Sequence, residues 1–255
     1  MRVFLLGLVL VAGCGGERFV LGDAGGADGG GDAGADATPA ADGGLCPQGM
    51  ARVDGPTPFC IDSVEVSVAA YTQFYNAIGG NFARSADCMF KTSLHPPTGN
   101  VAEHPVFNVD WCDAYAYCAA AGKRLCGRIG GGGLNASNFQ DPNLSMWKRA
   151  CTRGGMFMYP YGATQNASAC RGGAQATPVA SGSMATCEGG YPGIFDMVGN
   201  AQEWDDSCEG SGATANCAAR GGDFMDPLGS INCSDTFLSQ RQMPNARVGF
   251  RCCRD

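Results

Sequence analysis

The stretch Gly190-Tyr-Pro-Gly-Ile-Phe-Asp-Met-Val-Gly-Asn200, with Glu203-Trp204 just after it, is the most informative part of the sequence about the fold. Glycine, proline and asparagine interrupt it every few residues, so neither a helical nor a strand period is maintained. Pairs such as Gly154-Gly155 and Gly221-Gly222 mark further loops. The pattern predicts a loop-rich α+β domain in which disulfides replace part of the regular structure.

Capping residues predict three helices in the remainder of the domain. The expected N-caps are Ser67 before a helix over 68–78, Asp110 before a helix over 111–121, and Ser145 before a shorter helix. Asp113 stands at the third position of the second helix, where its carboxylate can return a hydrogen bond to the N-cap backbone. Gly122 is placed to end that helix.

Composition excludes several classes of function. The chain has 255 residues, a net charge of -7 and only two histidines. An acidic chain lacks the basic footprint of a nucleic-acid-binding protein, so we expect no nucleic-acid partner. Two histidines cannot supply a histidine-rich zinc or iron centre.

The N-terminus resembles that of a bacterial lipoprotein. Met1-Arg2 is followed by an apolar run over 3–12, which is too short to span a bilayer, and then by Gly13-Cys14. The resemblance implies a signal peptide over 1–13, cleavage before Cys14 and acylation of that thiol, which would anchor the protein to a membrane. Glycine after Cys14 implies an outer-membrane lipoprotein of the cell envelope, facing the periplasm or the cell surface.

A linker is predicted between the lipid and the folded domain. Residues 21–45 are nearly all Gly, Ala and Asp, with five Asp and no Lys or Arg. Such a segment cannot bury enough apolar surface to fold. We therefore expect an acylated tether over 14–45 and a folded domain over 46–255.

The cysteines predict a dense set of disulfides. Fifteen are present, and setting Cys14 aside leaves an even number. Short loops favour the local pairs Cys46–Cys60, Cys170–Cys187 and Cys208–Cys217. Sequence alone leaves Cys88, Cys112, Cys126 and Cys253 unassigned.

Several motifs follow one another along the chain in a fixed order: Phe59-Cys-Ile-Asp62 with Glu65-Val-Ser67, Pro105-Val-Phe-Asn-Val-Asp-Trp111, Gly122-Lys-Arg-Leu125, Trp147-Lys-Arg-Ala-Cys151, the stretch quoted above, Arg220-Gly-Gly222 and Val248-Gly-Phe-Arg251. Together they resemble the formylglycine-generating enzyme family, also called the sulfatase-modifying factor family. The resemblance covers about residues 46–253. It implies a modified C-type-lectin-like fold and the disulfides Cys118–Cys252 and Cys151–Cys233.

The resemblance also identifies where catalytic thiols should stand. The family's active members oxidise a sulfatase cysteine with O2 and bind Cu(I) through two thiolates, which are soft ligands suited to that ion. The corresponding positions here are Asp226 and Leu228, in a window over 223–232 that contains no cysteine. We therefore expect the copper chemistry to be absent and copper not to be a cofactor.

A calcium site is the cofactor that the resemblance favours. Its ligands map onto Asp196, Gly199, Ala201 and Glu203, which offer hard oxygen donors around a tight turn. The alternative is that Asp196 and Glu203 only accept hydrogen bonds from backbone amides of the turn.

We expect a non-enzymatic binding or structural module that presents a loop surface to a peptide, protein or glycan. The candidate ligand-binding residues are Trp204, Asp205, Asp206, Phe224, Met225 and Asp226, although these could equally lie in the core or at its rim. One alternative is an oxidoreductase of the same family with a different centre. Another is an accessory subunit of a partner enzyme.

Overall fold

The computed structural model describes residues 46–135 and 137–255. The strands and helices are β1 (Met50–Val53), β2 (Phe59–Asp62), α1 (Val68–Ile78), α2 (Trp111–Ala120), β3 (Arg124–Leu125), α3 (Met146–Thr152), β4 (Gln202–Glu209), β5 (Asn216–Arg220), β6 (Thr236–Gln240), β7 (Val248–Phe250) and β8 (Cys252–Arg254). The predicted signal peptide over 1–13, Cys14 and the tether over 14–45 lie outside the described residues. Among the described helices, none has the length and apolar character needed to cross a membrane.

The three helices begin at the predicted caps. The Ser67 hydroxyl accepts from the Ala70 amide, and the Ser145 hydroxyl accepts from the Lys148 amide. Asp110 and Asp113 form the expected capping box, because each carboxylate accepts from the other residue's amide at 2.8–2.9 Å. The second helix ends at Ala120, one residue earlier than predicted.

Two four-stranded sheets carry the strands. The first has the order β1-β2-β8-β3 and is antiparallel throughout. The second has the order β6-β5-β4-β7, in which β4 pairs antiparallel with β5 but parallel with β7. That parallel pairing sets Glu203 opposite Gly249. It places the residue that follows β7, Arg251, near the start of β4.

The hydrophobic core has two parts. In one part the helices α1 and α2 pack on the second sheet through the aromatic rings of Tyr71, Phe74, Tyr117 and Phe250. In the other part α3 packs with the loop before β4. Gly190 of that loop, at φ +71°, lies so close to the Ala150 carbonyl that no side chain would fit there.

All fourteen described cysteines form disulfides. The bonds are Cys46–Cys60, Cys88–Cys112, Cys118–Cys252, Cys126–Cys253, Cys151–Cys233, Cys170–Cys187 and Cys208–Cys217. They include the five pairs expected from the sequence and assign partners to the four cysteines left open. The adjacent residues Cys252 and Cys253 bridge to two different segments, one in α2 and one after β3.

Candidate functional site

Three buried carboxylates lie around one buried guanidinium, where the chain passes from the second sheet to the first. Glu65 precedes α1, Asp196 lies in the loop before β4, Glu203 is in β4, and Arg251 links β7 to β8; each is at most 1% exposed. If all four groups are ionised, this acidic cluster has a net charge of -2. Burying a charge without a counter-ion costs free energy. The hydrogen-bond and ionic partners of each carboxylate therefore decide whether the cluster can bind a cation.

Both carboxylate oxygens of Glu203 already accept hydrogen bonds from other side chains. Arg251 Nε lies 2.8 Å from both of its carboxylate oxygens, and Arg251 Nη2 donates to Oε1 at 2.6 Å. The indole nitrogen of Trp147 donates to Oε2 at 2.8 Å. Bidentate pairing of this kind is the strongest geometry for a carboxylate and a guanidinium.

Glu65 and Asp196 are satisfied on one oxygen only. Glu65 Oε1 accepts from Asn200 Nδ2 at 2.9 Å, and Asp196 Oδ2 accepts from the Gly182 amide at 2.6 Å. The other oxygens, Glu65 Oε2 and Asp196 Oδ1, are buried and have no hydrogen-bond partner. Burial raises the pKa of Asp196 to about 6. Burial and the adjacent Asp196 charge raise the pKa of Glu65 well above its usual value.

The predicted calcium ligands fit this geometry only in part. Asp196 Oδ1 is free to bind a cation, as the family resemblance requires. Glu203 does not fit, because Arg251 and Trp147 already use its oxygens. Without Glu203, the set falls well short of the six to eight oxygens that Ca2+ takes, even with the carbonyls of Gly199 and Ala201. Calcium binding at this turn therefore stays a prediction in which Glu203 has no part.

A cleft with a volume of about 610 Å³ lies at the outer side of the acidic cluster. Its walls come from β2 and the segment before α1, the first half of α1, and the chain around residues 103 and 181. Glu65 lines it together with Ser181, whose buried hydroxyl oxygen also has no partner. Lys123 lines it as well, paired with Asp62 at 2.5 Å. Volumes of 300–1,000 Å³ are typical of small-molecule sites.

Trp204 and Asp205 are not part of a ligand-binding surface, so that prediction is wrong for both. Trp204 is completely buried and its indole nitrogen donates to the Val109 carbonyl at 3.0 Å. Asp205 is also completely buried and pairs with Arg220 at 3.3 Å. The β4 strand is covered on both faces here, which explains why consecutive residues are buried.

The other predicted ligand-binding residues occupy two different places. Asp206 is half-buried in β4, and its backbone bonds to Cys126 and Leu134. The remaining three are in the loop after β5: Phe224 is 7% exposed and lies against Phe107 at 6.1 Å between ring centres, Met225 is exposed, and Asp226 is half-buried.

Asp226 and Leu228, the positions that the family resemblance assigns to the copper thiols, stabilise this same loop. Asp226 Oδ2 accepts from the Asp223 amide at 3.0 Å, and the Asp226 carbonyl accepts from the Gly173 amide at 2.9 Å. Leu228 lies over Gly173, where a β-carbon would approach it to 3.1 Å. A carboxylate and an aliphatic side chain at these two places hold the loop and supply no soft ligand.

Sequence analysis missed a second buried ionic group, which surrounds the start of α2. Lys91 Nζ lies 2.6 Å from Asp110 Oδ2 and 2.9 Å from Asp113 Oδ1, and His95 Nδ1 lies 2.7 Å from Asp113 Oδ2. The hydrogen bond with Asp113 raises the pKa of His95. The histidine and two aspartates converge closely enough to hold a metal ion, yet the Lys91 ammonium lies among them. Only the capping-box pair hinted at this group, since nothing near Lys91 marks it as buried.

Comparisons with known proteins match most of this domain. The model of the sulfatase-modifying factor enzyme 1-like domain matches residues 21–255. The formylglycine-generating enzyme of Bos taurus is 30% identical in an alignment of 156 residues, and the match covers 55% of this chain and 35% of the bovine protein. The matched region thus spans about a third of that curated relative's length.

Two solved structures have the same fold. CarF superimposes with a TM-score of 0.53 at 22% identity, covering 77% of this chain and 86% of CarF. PvdO from Pseudomonas aeruginosa superimposes with a TM-score of 0.53 at 19% identity, covering 78% of this chain and 80% of PvdO. The predicted fold class, a loop-rich and disulfide-rich α+β domain of the modified C-type-lectin-like kind, is confirmed.

Proposed function

The chain belongs to the sulfatase-modifying factor family, and from this premise we propose that it is a lipid-anchored, extracytoplasmic binding or structural module without the family's copper oxidase chemistry. The observation that carries the proposal is the state of the cysteines. Every described cysteine is in a disulfide, so the folded domain offers no thiolate to Cu(I).

The loop after β5 supports the same conclusion. In this loop Asp226 and Leu228 stand at the positions of the copper ligands and make structural contacts. Cys233, the cysteine nearest to the loop, is bonded to Cys151 in α3. Restoring a two-thiol centre would require new cysteines as well as a rearranged loop.

An oxidoreductase with a different centre is less well supported. The described residues contain one group of three metal-binding side chains, His95, Asp110 and Asp113. The ammonium of Lys91 lies 2.6–3.1 Å from all three side chains, offsets one of the two carboxylate charges and would repel a metal ion. An accessory role beside a partner enzyme remains compatible with a binding module and differs from it only in the identity of the ligand.

The proposed location follows from the N-terminal sequence. Acylation of Cys14 would attach the protein to the outer membrane, and the acidic tether over 14–45 would hold the domain away from the lipid. Incorporation of labelled palmitate in a bacterial host should depend on Cys14. A Cys14→Ser variant that incorporates the label equally would contradict the anchor.

Peptide mapping of the non-reduced full chain tests the loss of copper chemistry. We expect seven disulfide-linked peptide pairs and no free thiol in residues 46–255, while the reduced protein serves as the control in which all these thiols react. In parallel, the protein should not convert the cysteine of a sulfatase peptide to formylglycine when Cu(I) and O2 are supplied. Two free thiols together with stoichiometric copper and turnover would overturn the proposal.

A further inference from the structure

The cleft beside the acidic cluster has two unsatisfied oxygens in its wall residues. Glu65 is 1% exposed, and its Oε2 has no hydrogen-bond partner. Ser181 lines the same cleft, and its buried hydroxyl oxygen is also without a partner. A buried polar atom without a partner has lost its hydrogen bonds to water and gained none from the protein. Two such oxygens in the wall residues of one cleft therefore point to a ligand that donates hydrogen bonds there.

The charges around the cleft favour a cation as that donor. Asp62 is neutralised by Lys123 at 2.5 Å, so this pair contributes no net charge. Glu65 and Glu103 also line the cleft, and the guanidinium of Arg251 behind them is bound to Glu203. Asp196, with its own unpartnered oxygen, adds further negative potential from behind the wall.

We propose that the cleft binds a ligand bearing a primary ammonium group, with the ammonium donating to Glu65 Oε2 and Ser181 Oγ. This inference rests on the proposed function and names the ligand class of the binding module. The walls also include apolar side chains such as Val66 and Ala69, which can pack against the methylene chain that carries the ammonium. A lysine side chain of a peptide and a polyamine share this chemistry.

Ligand geometry distinguishes an ammonium from a metal ion at this place. An ammonium has three N–H donors, and the two unpartnered oxygens with one water or Glu103 would satisfy them. Calcium needs six to eight oxygens, far more than the two buried oxygens that are without a partner here. The volume of about 610 Å³ also far exceeds that of an ion and suits an organic molecule.

Calorimetric titration of the full chain with n-butylammonium chloride at constant ionic strength tests the inference, with 1-butanol as the uncharged probe. Saturable binding of the ammonium and no binding of the alcohol are expected. Because hydrogen bonds to charged groups are strong, Glu65→Gln should weaken binding about tenfold or more and Ser181→Ala about threefold. Glu209→Gln, an exposed charge change outside the cleft, should have no effect.

Ser181→Ala keeps the test decisive if Glu65→Gln fails to fold, because the hydroxyl of Ser181 has no partner whose loss could destabilise the protein. The inference is overturned if n-butylammonium does not saturate, if the alcohol binds equally, or if Glu209→Gln weakens binding as much as Ser181→Ala. Saturable CaCl2 binding that n-butylammonium does not compete with and Glu65→Gln abolishes would identify a metal site and overturn it too. Peptide mapping of the cysteines is independent of all these results, so the two proposals can fail separately.

Discussion

Replacing Arg251 by methionine removes the only guanidinium of the acidic cluster while keeping an unbranched, flexible side chain in its place. Its Nε and Nη2 are bound to Glu203, and its other contacts are the carbonyls of Asp62 and Phe195 at 2.9–3.1 Å. The variant leaves Glu65, Asp196 and Glu203 buried without a counter-charge. Methionine fills much of the volume, so the electrostatic change dominates.

The expected loss of stability is large. Removing one partner of a buried ion pair costs about 3–5 kcal/mol, because the other charge stays buried and unpaired. For a domain of this size each kcal/mol corresponds to about 2–4 °C in Tm, so we expect Tm to fall by about 12 °C. The loss should shrink at pH 4.5, because Glu65 and Asp196, whose pKa values are raised, are then largely protonated and part of the unpaired charge is gone.

Thermal and urea unfolding at pH 7.5 and pH 4.5 measure both effects. Arg52→Met is the matched control, because Arg52 forms a partly exposed ion pair with Asp54 whose loss costs at most about 1 kcal/mol. A loss below about 1 kcal/mol for Arg251→Met, or a loss that is the same at both pH values, would refute this account of the acidic cluster.

Asp196→Asn should raise stability by about 3 kcal/mol above pH 7, since a carboxyl whose pKa is raised from 3.8 to about 6 opposes folding once it is ionised. Unfolding curves should show this gain vanish near pH 4, and a loss instead would indicate a bound cation. His95→Gln should destabilise the protein most at acidic pH, because a histidine whose pKa is raised by folding contributes stability that is lost as the pH rises through that pKa. Denaturant titrations measure the difference in unfolding free energy between the two proteins. A difference that grows toward pH 9 would contradict the pairing with Asp113. Chelation of calcium-loaded protein should shift Tm by less than about 2 °C in calorimetry, because a site without Glu203, which arginine holds, has few ligands. A far larger shift would contradict this ligand count.

Local rules explain which parts of the structure could be predicted from the sequence. The caps Ser67, Asp110 and Ser145 act within one helical turn, and the short-loop disulfides close within a few residues, so their signals are in the adjacent sequence. Cys118–Cys252 and Cys151–Cys233, far apart in the chain, came only from the family resemblance.

The candidate site depended on tertiary packing that no local pattern encodes. Arg251 meets Glu203 because β7 runs parallel to β4, and strand pairing over that separation has no signature in the sequence. Trp204 and Asp205 were candidates for a ligand-binding surface, with the core as the alternative, and β4 is buried on both faces at these residues. The position of Lys91 likewise depends on a long loop fastened to α2 by Cys88–Cys112.

The pairing of β8 has a consequence for biosynthesis. This strand is the last of those described, yet it lies inside the first sheet between β2 and β3. Its Cys252 and Cys253 are 134 and 127 residues from their partners, so synthesis from the N-terminus produces those partners long before them. Until β8 has been synthesised, Cys118 and Cys126 have no native partner and the first sheet cannot close. Any bond that they form earlier has to be undone by thiol–disulfide exchange.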